Sequence, residues 1–258
     1  MKDWDYDNDQ WTKLPGYLKH LPLFTRHVDL FSIFIRTLWG FFLKLVFFRT
    51  YIQLRVKGDF HKVYRENPRV LVISNHGSHL DAISIATAIP LAYWRDVYIA
   101  AAKDYFFTNF IFTFFSQHCL GAIPIDRKDR KGEAINLIMT LLNNLPRIWL
   151  ILFPEGTRSK DGKVHDFKRG VSIFAERSNT PILFLFLEGN TRLWPKGAVF
   201  AKPGRLTIHV GPVHPPAPIE TIYKAYRQWA IGIAPEAFEL AENPEWKEDQ
   251  NSPLSEQV

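Results

Sequence analysis

The stretch VLVISNHGSHLDAIS, Val70 to Ser84, reads as a strand, a loop and the start of a helix. Val70 to Ser74 is an unbroken apolar run of the kind buried on both faces in a parallel sheet. Leu80 to Ile89 fits a short helix, which leaves Asn75 to His79 as the connection. Asp81 then falls in the first helical turn, where the helix N-terminus favours its negative charge. Within one helix His76 and Asp81 would point about 140° apart at about 100° per residue, so they meet only if His76 sits in the loop and folds back over the turn. So held, a neutral imidazole donates from one nitrogen to Asp81 and takes a proton on the other, a general base with its orienter.

Outward from this stretch, strand-like runs recur as RVLVIS (69–74), DVYIAA (96–101), GAIPI (121–125), IWLILF (148–153), ILFLFL (182–187) and LTIHVG (206–211). Helical stretches lie between several of them, at 80–89, 133–145 and 170–178. The alternation predicts an α/β fold with a mostly parallel central sheet flanked by helices. In such sheets chemistry collects in loops at the carboxyl ends of strands, where NHGSHLD falls.

The 258 residues, 47% hydrophobic and 15% aromatic, are enough for one large domain. A formal charge of +6 and a pI near 9.3 point to anionic lipid or phosphorylated substrates. Nucleic acid is set aside as a partner, since there is no zinc-finger spacing, RNP-like motif or block of five Lys or Arg. The single cysteine, Cys119, and an acidic start, MKDWDYDND, without the basic and apolar regions of a secretory signal place the working face on the cytosolic side. The expected division is a polar leader with membrane-associated helices at 1–54, the main domain at 55–240 and a disordered tail at 241–258.

From Val28 to Leu54 the chain is dense in Phe, Ile and Leu but interrupted by Arg36, Lys44 and Arg49. No window reaches the roughly 20 uncharged apolar residues of a spanning helix. Trp39 and the spaced cations suit an apolar helical element docked in the headgroup region, with Lys and Arg stems snorkelling toward phosphates; a buried core helix is the alternative. A longer uncharged run, Tyr105 to Ile125, holds Asn109, Ser116, Gln117 and His118 and ends in Gly121 and Pro124. It is expected to be a buried Phe-rich helix followed by a short strand.

Three other readings compete for His76 and Asp81. As metal ligands with His79 they would lack the HxHxDH spacing of metallo-hydrolases, since Ala82 stands where a histidine is needed. As part of a serine triad they would need a nucleophile elbow, and no G-x-S-x-G occurs. The third reading is a loop histidine that only caps the helix. Against it stands FPEGTRSKDG, Phe153 to Gly162, which follows the buried run IWLIL as NHGSHLD follows VLVIS. There Pro154 and Gly156 shape a turn, Glu155 and Arg158 supply opposite charges and Thr157 a hydroxyl, a compact site for a phosphate. GAIPIDRKDRKG adds Arg127 at the end of another strand, while Lys128, Arg130 and Lys131 read as a solvated basic turn. Two guanidinium groups are the expected grip on a phosphate dianion.

NHGSHLD, GAIPIDR and FPEGTRS, in this order, resemble the first three motifs of the glycerolipid acyltransferases, the group that includes 1-acylglycerol-3-phosphate acyltransferase. The likeness covers about residues 55 to 213, and the N-terminal apolar helices resemble the membrane-docking element of the family. The resemblance implies that His76 deprotonates the free hydroxyl of 1-acylglycerol-3-phosphate and that Asp81 orients it. The oxygen then attacks the thioester of acyl-CoA or acyl carrier protein, giving phosphatidic acid with no covalent enzyme intermediate, no metal and no cofactor. It also implies that Arg127 and the turn Glu155-Gly156-Thr157-Arg158 contact the glycerol phosphate, with Lys103 as a further ligand. His79 matches no motif position and is expected to be structural. One departure is Phe184, in TPILFLFLEG, where the fourth motif of the family carries a second proline; this bears on the acceptor or acyl pocket. Another lysophospholipid or a lyso-aminolipid as acceptor is the neighbouring reading, and a non-catalytic membrane lipid-binding protein is the reading from a different class.

Overall fold

The computed structural model describes residues 30–125, 133–195 and 197–238. The leader 1–29, the basic segment 126–132 and the tail 241–258 lie outside them. Seven strands form one sheet among these residues, in the order β1-β7-β6-β2-β5-β3-β4. They are β1 (Ile52–Lys57), β2 (Arg69–Ser74), β3 (Val97–Ala102), β4 (Ala122–Ile125), β5 (Ile148–Leu152), β6 (Ile182–Glu188) and β7 (Gly204–His214). All neighbouring strands are parallel except β6 and β7. The pattern of apolar runs foretells this, because central strands covered by helices on both faces have no polar side to show. Val70, Leu71, Val72 and Ile73 of β2 are all fully buried. Strand β1 was hidden in the apolar stretch that precedes it; its IQLRVK is largely exposed and pairs with β7 at the sheet edge.

The helices, in chain order, are α1 (Leu30–Phe42, continued as a wider π-helical coil over Leu43–Tyr51), α2 (Phe60–Glu66), α3 (Asp81–Ala88), α4 (Lys103–Phe106), α5 (Phe110–Phe114, continued over Phe115–Leu120), α6 (Glu133–Asn144), α7 (Gly170–Ser178), α8 (Asn190–Leu193) and α9 (Ile219–Ala230). One face of the sheet packs Leu71, Ile73, Leu150 and Phe184 against α6, α7 and α9. The other packs Val70, Val72, Ile151 and Leu185 against α2, α3 and the end of the α1 coil. The alternation of consecutive β2 residues between the two cores follows from the two-residue period of a strand.

The α1 coil reverses the usual amphipathic order. Its buried positions include Ser32, Arg36 and Gly40, while Leu30, Phe31, Phe34, Leu38, Phe41, Phe42, Leu45 and Val46 are exposed. Gly40 allows the close approach, since a Cβ there would lie 2.3 Å from Leu91 Cδ2 and 2.9 Å from Trp94 Cζ3. The cations do not all snorkel as expected. Arg36 is buried and donates to Val97 O (2.9 Å) and Leu120 O (3.3 Å), and Lys44 donates to the Thr87 and Ile89 carbonyls. Carbonyls at the start of β3, at the end of the 115–120 coil and at the end of α3 take these cations. Arg49 alone of the three remains exposed.

The segment 105–125 ends in the expected short strand, β4, but its helical part departs from expectation. It breaks into short helices, and Phe110, Ile111, Phe112 and Phe115 are exposed, with Phe110 at 83%. It packs on α1 through Ser32 Oγ to His118 Nδ1 (2.7 Å) and through Trp39 against Phe115. The two elements together present one apolar surface. By length and composition the 22-residue coil Leu30–Tyr51 is capable of crossing a membrane, with a mean hydropathy of 1.7 in its most apolar window.

Candidate active site

Three segments at the carboxyl rim of the central strands build the site: residues 75–80 after β2, 153–169 after β5 and 189–195, with α8, after β6. Because β2 lies between β5 and β6, the sheet order itself brings the three together.

His76 leaves the end of β2 and turns back over the start of α3. Its Nδ1 lies 2.9 Å from Asp81 Oδ2, and the same oxygen accepts the backbone N–H groups of Gly77 and Ser78, each at 2.8 Å. Asp81 Oδ1 accepts from Asn190 Nδ2 at 3.0 Å. The carboxylate is fully buried and lies in the first turn of α3, so helix N-terminus and four hydrogen bonds compensate its loss of water. With Nδ1–H directed at Asp81, the lone pair of the neutral imidazole is on Nε2. The His76 ring, about one-fifth exposed, stacks on Phe153 with centroids 4.0 Å apart. Gly77 carries no side chain for want of room, as a Cβ there would sit 2.4 Å from Thr191 Cγ2.

Glu155 points inward rather than out of its turn. Oε1 accepts His76 N–H at 2.8 Å, Oε2 accepts His165 N–H at 3.1 Å, and only 4% of the residue is exposed. Ser159 N–H returns to His76 O at 2.7 Å, so the second loop is tied to the first from both sides. Burial raises the Glu155 carboxyl to about 8, with Asp81 and Asp161 adding to it against the two backbone donors. Gly156 adopts φ +70°, and the stem of Lys168 covers it. Gly156 and Thr157 are exposed at the turn, and Arg158 is half-buried. The charge of Arg158 reaches His79, whose pKa is lowered first by burial and then by Arg158 and His76. His79 N–H donates to Trp194 O at 3.1 Å and its ring lies against Trp194.

Lys103 is half-buried at the start of α4, after β3, on the same rim but with β5 between its strand and that of His76. Arg127 lies outside the described residues. His76 and Asp81 bond to each other while His79 turns to Trp194, and among the described residues no group of three or more His, Cys, Asp or Glu is disposed to hold a metal. The His76 ring is bonded to Asp81 Oδ2 and stacked on Phe153.

Asn75, Asn190 and Tyr226 complete the site and were missed from the sequence. Asn75 Oδ1 accepts Leu187 N–H (2.8 Å) and its Nδ2 donates to Leu187 O (3.1 Å), which extends the β2–β6 pairing by a side chain. The Tyr226 hydroxyl, fully buried, accepts Asn75 N–H (3.1 Å) and donates to Leu185 O (2.9 Å). Phe184 lies in the α9 core, stacked on His214 and edge-on to Tyr226. It is 1% exposed and linked to the site through its contact with Tyr226.

The fold and site thus define an α/β protein that holds a histidine–carboxylate pair on the rim of its sheet, with an arginine-bearing turn beside it. Residues 54–208 match the model of the Acyltransferase family, and the chain belongs to that family. It is 30% identical over 167 residues to the 1-acyl-sn-glycerol-3-phosphate acyltransferase of Limnanthes douglasii, covering 61% of this chain and 53% of that protein. It is 31% identical over 166 residues to 1-acyl-sn-glycerol-3-phosphate acyltransferase alpha of Mus musculus, covering 62% and 54%. The chain spans about half the length of these curated relatives. The crystal structure of the 1-acyl-sn-glycerophosphate acyltransferase PlsC from Thermotoga maritima shares the fold, with a TM-score of 0.62 over 80% of each chain at 23% identity.

Proposed function

We propose that the protein transfers a fatty acyl group from acyl-CoA or acyl carrier protein to the free hydroxyl of 1-acylglycerol-3-phosphate, yielding phosphatidic acid. The observation that carries this reading is the His76 Nδ1–Asp81 Oδ2 bond of 2.9 Å in a member of the Acyltransferase family whose sequence has no G-x-S-x-G nucleophile elbow. A base without a protein nucleophile acts on the substrate itself. Nε2 takes the hydroxyl proton as the oxygen attacks the thioester carbonyl. Collapse of the tetrahedral adduct breaks the C–S bond, and the imidazolium returns its proton to the leaving thiolate. Asp81 stabilises the imidazolium in between.

In this reading the exposed turn at Gly156 and Thr157, with Arg158 and Arg127, takes the acceptor phosphate, and Lys103 stands further along the rim. Glu155 serves by holding the His76 and His165 backbones. The reading requires no cofactor beyond the acyl thioester. The apolar surface of α1 and α5 supports membrane association, and the buried bonds of Arg36 and Lys44 to the main domain support a coil lying along the bilayer face rather than through it. The site is assigned to the cytosolic side. Mass-spectrometric identification of products from purified protein given mixed lysolipids and acyl thioesters tests the assignment. Phosphatidic acid as the dominant product is the expected result, and a lyso-aminolipid product or none would replace it.

A further inference from the structure

A second apolar feature lies away from α1 and α5. Val199 and Phe200, adjacent in the loop between α8 and β7, are 75% and 80% exposed. The loop that carries them is built, not slack. Lys202 N–H closes its base on Leu193 O (2.7 Å), Ala198 N–H bonds Pro195 O (3.1 Å), and Trp194 Nε1 donates to Ala198 O (2.9 Å). Two large apolar side chains are therefore held outward by a closed ring of hydrogen bonds, which costs free energy in water.

Two observations say what covers them. The Tyr51 hydroxyl, at the end of the α1 coil, donates to Ala201 O at 2.7 Å, so the loop tip continues the apolar surface of that coil. The segment itself carries one sign of charge: WPKGAVFAKPGR, Trp194 to Arg205, holds three cations and no acid. Arg49, Lys202 and Arg205 are exposed on the end of the coil and at the loop's junction with β7. An apolar tip in a basic segment is complementary to an anionic phospholipid surface, with the tip among acyl chains and the cations at phosphates.

We infer that Val199 and Phe200 form a second membrane anchor, inserted into the same lipid face as the α1 coil. The loop also touches the site: Ser78 Oγ donates to Trp194 O at 3.1 Å, and Ser78 forms a bridge with Pro195. The anchor thus places the lipid surface beside the His76 loop, where a lysolipid would be drawn up. The inference rests on the membrane-associated reading above.

The test uses the full chain with a cysteine in place of Phe200, labelled with an environment-sensitive fluorophore; the natural Cys119 is buried. Glu176→Cys, exposed on α7 across the sheet, is the control. With vesicles of phosphatidylglycerol and phosphatidylcholine, the label at 200 should shift to the blue and be quenched by brominated acyl chains, while the label at 176 stays in water. Val199→Asp with Phe200→Asp should weaken vesicle partitioning roughly tenfold or more, as expected for two apolar side chains withdrawn from lipid. A protein that binds vesicles with the label at 200 still in water overturns the anchor and leaves the membrane reading intact. Failure of the unmodified chain to bind vesicles overturns both. A blue shift without lipid that grows with protein concentration makes the loop a contact between copies of this chain, and equally overturns the anchor.

Discussion

Glu155 Oε1 accepts the backbone N–H of His76 at 2.8 Å, so the third sequence motif holds the first in place through a main-chain bond. The imidazole therefore depends on a residue from the loop after β5 whose bond is to its peptide and not to its ring. Asp81 fixes the imidazole and Glu155 fixes the peptide that carries it.

Replacing His76 by Ala should lower kcat by about 10²- to 10⁴-fold, the usual range for loss of a general base. Vesicle binding should be unchanged, since the apolar surface is elsewhere. Steady-state acyl transfer together with vesicle sedimentation checks both, and an unaltered rate would remove His76 from the mechanism.

Asp81→Asn should be nearly as harmful to turnover and should also destabilise the fold. Oδ2 accepts three N–H groups, and an amide in its place offers one acceptor and one competing donor. Leaving a buried backbone donor unpaired costs about 1–3 kcal/mol. Thermal melting and kcat should fall together.

Asn190→Ala removes the bond to Asp81 Oδ1 without touching the imidazole. A drop in kcat with little change in the acceptor KM is expected, because the carboxylate is freed to rotate. A change confined to KM would instead make Asn190 a contact of the lipid.

Stability should carry a signature of Glu155. Its carboxyl is raised from 4.5 to about 8 in the folded protein, so between those values the folded state binds more protons than the unfolded one. Stability from this group is present at low pH and is lost as pH climbs toward 8. Melting temperatures across this range, compared with Glu155→Gln, should show the natural protein losing ground to the variant as pH rises. Parallel curves would contradict the shift.

Tyr226→Phe removes the acceptor of Asn75 N–H within a fully buried contact. A loss of about 1–3 kcal/mol in unfolding free energy is expected from the stranded donor. Denaturant titration measures it.

The central strands and the His76–Asp81 bond were legible in the sequence because both follow from local period: a doubly covered strand has no polar alternation, and a loop of fixed length brings residues of one segment together. Asn190 and Tyr226 were not legible. Each is separated from its partner by more than a hundred residues, at 109 and 151 positions, and only the strand order joins them. Asn190 directly follows the LEG end of a strand-like run, which marks it as a rim residue but gives no partner. The α1 coil misled in a different way. Hydropathy read Arg36 and Lys44 as outward-facing because charge is seldom buried, whereas here open main-chain carbonyls of the main domain accept both.

Lys44 grips the carboxyl end of α3 at Thr87 and Ile89, and Asp81 begins the same helix. Those eight residues, about 12 Å at 1.5 Å each, link the apolar coil to the His76–Asp81 pair. Its span sets the distance between Lys44 of the coil and the His76–Asp81 pair, so lengthening α3 by one turn should move that pair away from the coil.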